Sequence, residues 1–159
     1  MALWSPARTL LAIMNINESA PAVSSSEIQV GADPEVVWEV LTAIEDWPSW
    51  NPDVTAASLE GELTEGSRFR WKAGRATITS TLQRVERPRL ISWTGKTVGL
   101  RAIHVYRLEA HGAGTLVSTA ESWEGPVARL FRKRMRETLS KAVEAGLGYL
   151  KAEAERRAS

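Results

Sequence analysis

Two side chains in this sequence could handle a proton in an apolar setting: His104, within AIHVY, and Glu121, within TAESW. Residues 100–109 and 114–123 alternate apolar and polar with a period of two, which predicts two strands. A turn at Gly112-Ala113 sets His104 directly opposite Glu121, because partners in a ladder share a face. A carboxylate beside an imidazole raises its pKa, and the two can act as general acid and base. Two plainer readings compete: a structural hydrogen bond under a helix, or a polar contact that orients a ligand in an apolar pocket. The pocket reading is preferred, and His104 and Glu121 stay catalytic candidates only, since groups of this kind mark sites only statistically.

The elements that would position this pair can be read outward from it. Further strands are predicted at about 53–59, 67–73, 75–86 and 89–96, with turn signals between them at 61–66, Gly74, Arg87-Pro88 and 96–99. Short connections make neighbours antiparallel. A turn at Gly74 pairs Trp71 with Ile78 and Phe69 with Ser80, which puts Phe69, Trp71, Ile78, Ser80 and Leu82 on one face. Arg68, Arg70, Lys72, Thr77, Thr79, Thr81 and Gln83 fall on the other, so the second face is solvent. A turn at Arg87-Pro88 sets Leu82 against Trp93 and brings Ile91 and Trp93 inside. A turn near Thr97-Val98 sets Ile91 against His104. The last hairpin then places Tyr106 beside Thr119 and Leu108 beside Val117.

Ser24 to Val30 suits a first strand, and Asp33-Pro34 starts a helix, with Asp as cap and Pro in the first turn. Residues 45–52, EDWPSWNP, read as a turn or second short helix. Its Trp47 and Trp50 are expected to pack against the sheet edge, with a cavity lid as the sharper reading. After Gly125-Pro126 a stripe of Leu130, Met135, Leu139, Ala142, Val143, Gly146, Leu147 and Leu150 predicts one continuous helix of about eight turns. The expected architecture is α+β, with a curved seven-stranded antiparallel sheet around a long C-terminal helix and two short helices between the first two strands.

The inner face so derived is not a plain core. Trp71, Trp93, His104, Tyr106, Thr119, Glu121 and Trp123 stand there among aliphatic groups, and a dry core avoids a carboxylate. The expected lining of a ligand cavity is therefore Phe69, Trp71, Ile78, Ser80, Leu82, Ile91, Trp93, His104, Tyr106, Thr119, Glu121 and Trp123, with Met135 and Leu139 from the helix.

Composition narrows the function. The chain has 159 residues, is 43% hydrophobic and 25% charged, and reads as one soluble domain. A net charge of +1 argues against a dedicated nucleic-acid partner. With no Cys, thiol catalysis and Cys-based metal sites are excluded, and two His make a His-rich metal site improbable; no metal or cofactor is expected. No stretch is apolar enough to span a bilayer, so stable membrane insertion is not expected, and the protein reads as cytoplasmic, a monomer or weak homodimer. Residues 1–22 read as a disordered or loosely helical extension before a domain at 23–155; a short amphipathic surface anchor at 1–14 is the sharper alternative, and Met14 an alternative start. From Val127 onward the charge is +5 against −4 for the rest, concentrated in Arg129, Arg132, Lys133, Arg134 and Arg136. A solvated helix face is the ordinary cause, and a phosphate-binding or membrane-surface patch the alternative. The glycine pairs 61/66 and 95/99 are hairpin turns and not phosphate loops, since no helix with Lys-Ser/Thr follows.

Stretches 33–41 (DPEVVWEVL), 46–52 (DWPSWNP), 66–71 (GSRFRW), 87–93 (RPRLISW), 114–117 (GTLV) and 121–126 (ESWEGP), in this order and spacing, resemble the SRPBCC superfamily of START-related and pollen-allergen-like proteins. The polyketide cyclase/dehydrase-like branch is the most similar. The resemblance covers about residues 23–155. It implies the helix-grip fold and a deep cavity for lipids, polyketides, sterols or other apolar ligands. Members range from cyclases to pure carriers, and no catalytic motif matches residue by residue, so no activity is carried over. The expected function is binding or transport of an apolar small molecule. The alternatives are a cyclase or dehydratase using His104 and Glu121, and a stress-related interaction protein acting through the basic helix.

Overall fold

A computed structural model of the protein describes residues 15–159. Seven strands form one antiparallel sheet: β1 (Ala22–Val30), β2 (Val54–Leu59), β3 (Arg68–Ala73), β4 (Ala76–Glu86), β5 (Leu90–Thr97), β6 (Leu100–His111) and β7 (Gly114–Glu124). Their spatial order is β1-β7-β6-β5-β4-β3-β2, so every strand except β1 follows its chain neighbour. Between β1 and β2 lie α1 (Pro34–Thr42), a 3-10 turn (Ile44–Asp46) and the one-turn α2 (Trp47–Trp50). After β7 come α3 (Pro126–Leu130) and the long α4 (Arg132–Ala158). This is the α+β element order expected from the periodicities, and the helix-grip fold that the family resemblance implies.

Register follows the turns. Trp71 pairs with Ile78 and Phe69 with Ser80 across β3–β4. Leu82 pairs with Trp93 across β4–β5, where a bulge between Leu82 and Arg84 takes up one residue. His104 pairs with Glu121, and Tyr106 with Thr119, across β6–β7. The β5–β6 hairpin differs from expectation: Trp93, not Ile91, lies opposite His104, and Ile91 pairs with Tyr106. Its turn is Val98-Gly99, with Thr97 facing Leu100, because Gly99 takes the left-handed conformation (φ +75°) that a two-residue hairpin turn uses. A slip of two residues preserves the face, so the inner set survives the correction.

The helices differ from expectation in three places. Asp33 occupies the position before α1, but its side chain makes no capping hydrogen bond; its carbonyl accepts from Val37 N–H at 3.1 Å. The C-terminal helix is not continuous, since Phe131 (φ −114°, ψ 44°) leaves the helical range and separates α3 from α4. Leu130, placed in the buried stripe, is 75% exposed in consequence. Of the rest of that stripe, Leu139, Val143, Leu147 and Leu150 are buried, Met135 and Gly146 are half-buried and Ala142 is exposed; Ala154 extends the buried row.

The sheet's outer face is solvent over β3 and β4, but not over β5–β7. There Leu90, Val105 and Ala120 form a small cluster covered by Ile16, with Val23 and Ile103 beside it. Asn17 fixes the cover, its N–H donating to Ser122 Oγ at 3.2 Å and its amide to Glu124 Oε2 at 2.7 Å. Within the extension expected over 1–22, Ile16 and Asn17 are therefore seated on the sheet, and Ala22 already belongs to β1. The expected anchor at 1–14 lies outside the described residues.

Candidate functional site

The inner face changes character along the strands. At one end Phe69, Leu82, Ile91 and Trp93 are buried together with Trp47 and the C-terminal part of α4. Trp47 is the hub: its ring lies 5.6 Å from Phe69, 5.8 Å from Trp71 and 5.7 Å from Trp93, and its indole N–H donates to Leu41 O at 2.9 Å. At the other end the strands carry Ala73, Ala76, Gly95 and Ala102, whose small side chains cannot reach the helix. The space left over is a cavity of about 350 Å³, which opens beside Thr138 and Ala142 of α4. That size falls within the ~300–1,000 Å³ of small-molecule sites.

Of the expected lining residues, Trp71, Ile78, Ser80, Trp93, His104, Tyr106, Glu121 and Trp123 border the cavity. Phe69, Leu82 and Ile91 do not: they lie beneath the Trp47 hub as solid core. Met135 and Leu139 do not border the cavity either and pack with Ala22, Val143 and Trp123. Thr119 is fully buried behind His104. Trp47 and Trp50 also border the cavity, as the lid reading had them, and so do Ala142 and Gly146 of the predicted helix stripe. Residues not foreseen are Leu41 of α1, Asn51 and Asp53 from the α2–β2 connection, Val54 from the start of β2, Lys96 and Thr97 from the end of β5, and Thr138 of α4.

His104 sits between two rings, 4.9 Å from Trp93 and 4.6 Å from Tyr106. Its tautomer follows from its neighbour. The Thr119 hydroxyl has one proton and gives it to Val105 O at 2.9 Å. It must then accept from His104 Nε2, 2.9 Å away, so Nε2 carries the hydrogen. Nδ1 faces Glu121 Oε2 at 3.6 Å, while Glu121 Oε1 accepts from the Trp123 indole N–H at 3.1 Å. The sequence predicted an imidazole pKa raised by the carboxylate. The structure reverses the sign: burial lowers it, and the opposing pull of Glu121 is the smaller effect. Burial thus favours the neutral form of the His104 imidazole. The Tyr106 phenol is pushed well above its usual range, first by burial and then by the Glu121 charge, so it stays a donor.

Two further indoles point to the cavity's chemistry. Trp71 donates to Ser80 Oγ at 3.1 Å. Trp50 Nε1 is buried and has no partner among the described residues. A buried N–H without an acceptor costs about 1–3 kcal/mol, a cost that a ligand oxygen would remove.

Comparison with known proteins agrees with this geometry. Residues 21–155 match the model of a family described as polyketide cyclase / dehydrase and lipid transport. No curated protein matches the sequence. Among solved structures, a hypothetical protein of Helicobacter pylori is similar at 18% identity and a TM-score of 0.76, over 86% of this chain and 90% of that one. A START superfamily protein of Mycobacterium smegmatis is similar at 16% identity and a TM-score of 0.67, over 82% and 97% of the chains. The di-domain ARO/CYC protein StfQ of the steffimycin biosynthetic pathway is similar at 16% identity and a TM-score of 0.73, over 86% of this chain and 51% of that one. At these identities the likeness is one of fold.

Proposed function

The chain belongs to the polyketide cyclase / dehydrase and lipid transport family, and from that premise we propose that it binds or carries an apolar small molecule between the sheet and α4. The observation that carries the reading is the cavity itself: about 350 Å³, bordered by Trp71, Trp93, Ile78 and Trp123, with a few polar groups converging on it. Burial of ligand carbon there contributes about 25 cal/mol per Å², before the costs of association. Tyr106, Trp50 Nε1 and Glu121 would orient oxygen atoms of the ligand. Thr119 and His104 would hold that polar end in place. The family's lipid and polyketide ligands share this chemistry of a carbon body with few oxygens. We place the activity on a monomer or weak homodimer in the cytoplasm, without a nucleic-acid partner.

Binding is favoured over catalysis by the state of His104. An acid–base residue needs a nitrogen free to meet substrate. Here Nε2 is engaged by Thr119, and Nδ1 is turned to Glu121.

Native mass spectrometry on protein purified from its host without detergent tests the proposal. The expected result is a mass increment of a small organic molecule, displaced by a fluorescent fatty acid that binds saturably. His104→Ala should keep the fold and weaken that binding. Finding neither a co-purified molecule nor saturable probe binding would sink the reading.

A further inference from the structure

Three large apolar side chains are exposed among the described residues: Val98 (94%), Leu130 (75%) and Phe131 (51%). They come from separate elements, yet one clasp joins them. Val127 N–H donates to Gly99 O at 3.2 Å, so α3 is tied to the β5–β6 turn. The fit is close: a Cβ on Gly99 would stand 2.4 Å from Val127 Cγ2, and one on Gly125 would stand 2.6 Å from Gly99 O. Val98 therefore tips the turn next to the α3–α4 corner that exposes Leu130 and Phe131.

The same corner is cationic. Arg129, Arg132, Lys133 and Arg134 are exposed, and none forms an ion pair among the described residues. Arg136 is different, because its Nε donates to Pro21 O at 2.8 Å. No acidic residue occurs between Glu124, which pairs with Arg101, and Glu137.

We propose that this apolar corner and its cationic flank dock the protein on an anionic membrane surface, with the cavity mouth beside the contact. Each half of the patch points to that partner. Cations without acidic partners are attracted to a negative leaflet. Single apolar side chains projecting from a turn and a helix corner suit shallow insertion at the headgroup level. An acidic protein would satisfy the cations but leave Val98 and Leu130 without a pocket, and nucleic-acid phosphates would do the same. The location adds a reason. Thr97 and Leu100, which flank the Val98 turn, border the cavity, and so does Thr138, about 10 Å along the helix from Phe131. A ligand could then pass between bilayer and cavity without crossing water. This purpose rests on the ligand-binding reading above; the docking itself does not.

The test is co-sedimentation of the full chain with phosphatidylcholine vesicles and with vesicles containing about a third phosphatidylglycerol. We expect partition to the anionic vesicles only, released by high salt. Val98→Asp with Phe131→Asp should weaken it at least tenfold. Each cation changed to Ala should weaken it about fivefold. Circular dichroism and vesicle-free binding of a fluorescent fatty acid show that these variants keep the fold and the cavity, so a failure here is distinct from a failure of ligand binding. No partition to anionic vesicles would overturn the proposal. So would partition unchanged in the double variant, or preferential binding of polyglutamate or a DNA duplex through the same residues.

Discussion

The two halves of the seam between α4 and the sheet have opposite outcomes. Toward the C-terminus, Leu147, Leu150 and Ala154 are buried in one cluster with α1 and the aromatic hub, and none of the three borders the cavity. Toward the N-terminus, Thr138, Ala142 and Gly146 face Ala73, Ala76, Gly95 and Ala102, and the cavity remains. Both halves use the same backbone geometry. The difference lies in side-chain volume, so closure and cavity are separate choices made position by position along one helix.

Substitutions can break that contrast in either direction. The largest effect is expected on the closed side. Leu147→Ala should destabilise the protein by about 3 kcal/mol, read by urea denaturation, because the transfer loss adds to a new void. A cost under ~1 kcal/mol would show that this half is not tightly packed. On the open side the sign of interest is affinity: Ala142→Trp should fill the cavity and lower fatty-acid probe binding at least tenfold, with stability unchanged or raised. Unaltered probe affinity would place the ligand elsewhere. A smaller effect is expected at the polar end. Thr119→Val removes the acceptor for His104 Nε2–H and should cost about 1 kcal/mol, with probe binding weakened as the ring loses its orientation.

The smallest effect is a pH dependence. In the unfolded chain the imidazole takes up a proton near its ordinary value of about 6.5. In the folded protein burial holds His104 below that value. Between the two values the unfolded chain binds the additional proton, so stability falls as pH drops below about 6.5 and this group contributes no slope above it. Denaturation at pH 7.5 and pH 5 should show the loss in the parent and a reduced loss in His104→Gln. An equal loss in both would assign the dependence to other groups.

Most of the fold was legible because turn residues and strand alternation constrain each other. Gly74 and Gly112-Ala113 fix two hairpins to the residue, and the pairing of His104 with Glu121 follows from the second. The β5–β6 register slipped by two because the turn could be drawn at Thr97-Val98 or at Val98-Gly99, and parity hid the error. The site was legible only as a face. Strand periodicity separates inside from outside but carries no information on depth, so Phe69, Leu82 and Ile91 were indistinguishable from Trp71 and Ile78. Asn51, Asp53 and Thr138 come from a connection and a helix, whose approach to the sheet is a tertiary fact. The sign of the His104 shift depends on how completely the ring is desolvated, which a register cannot show. The break at Phe131 has no Gly or Pro to announce it.

The floor of four small residues has one more consequence. A Cβ at Gly95 would lie 3.3 Å from Ile78 Cγ2 and 3.4 Å from Ser80 Oγ, so Ile78 would have to give by a few tenths of an ångström to admit it. Positions 73, 76, 95 and 102 thus act as a ruler read from below by whatever lies in the groove. If the groove holds a guest, adding one methyl at a time there would shorten the longest one it admits, with a stability cost at position 95 set by how far Ile78 can give way.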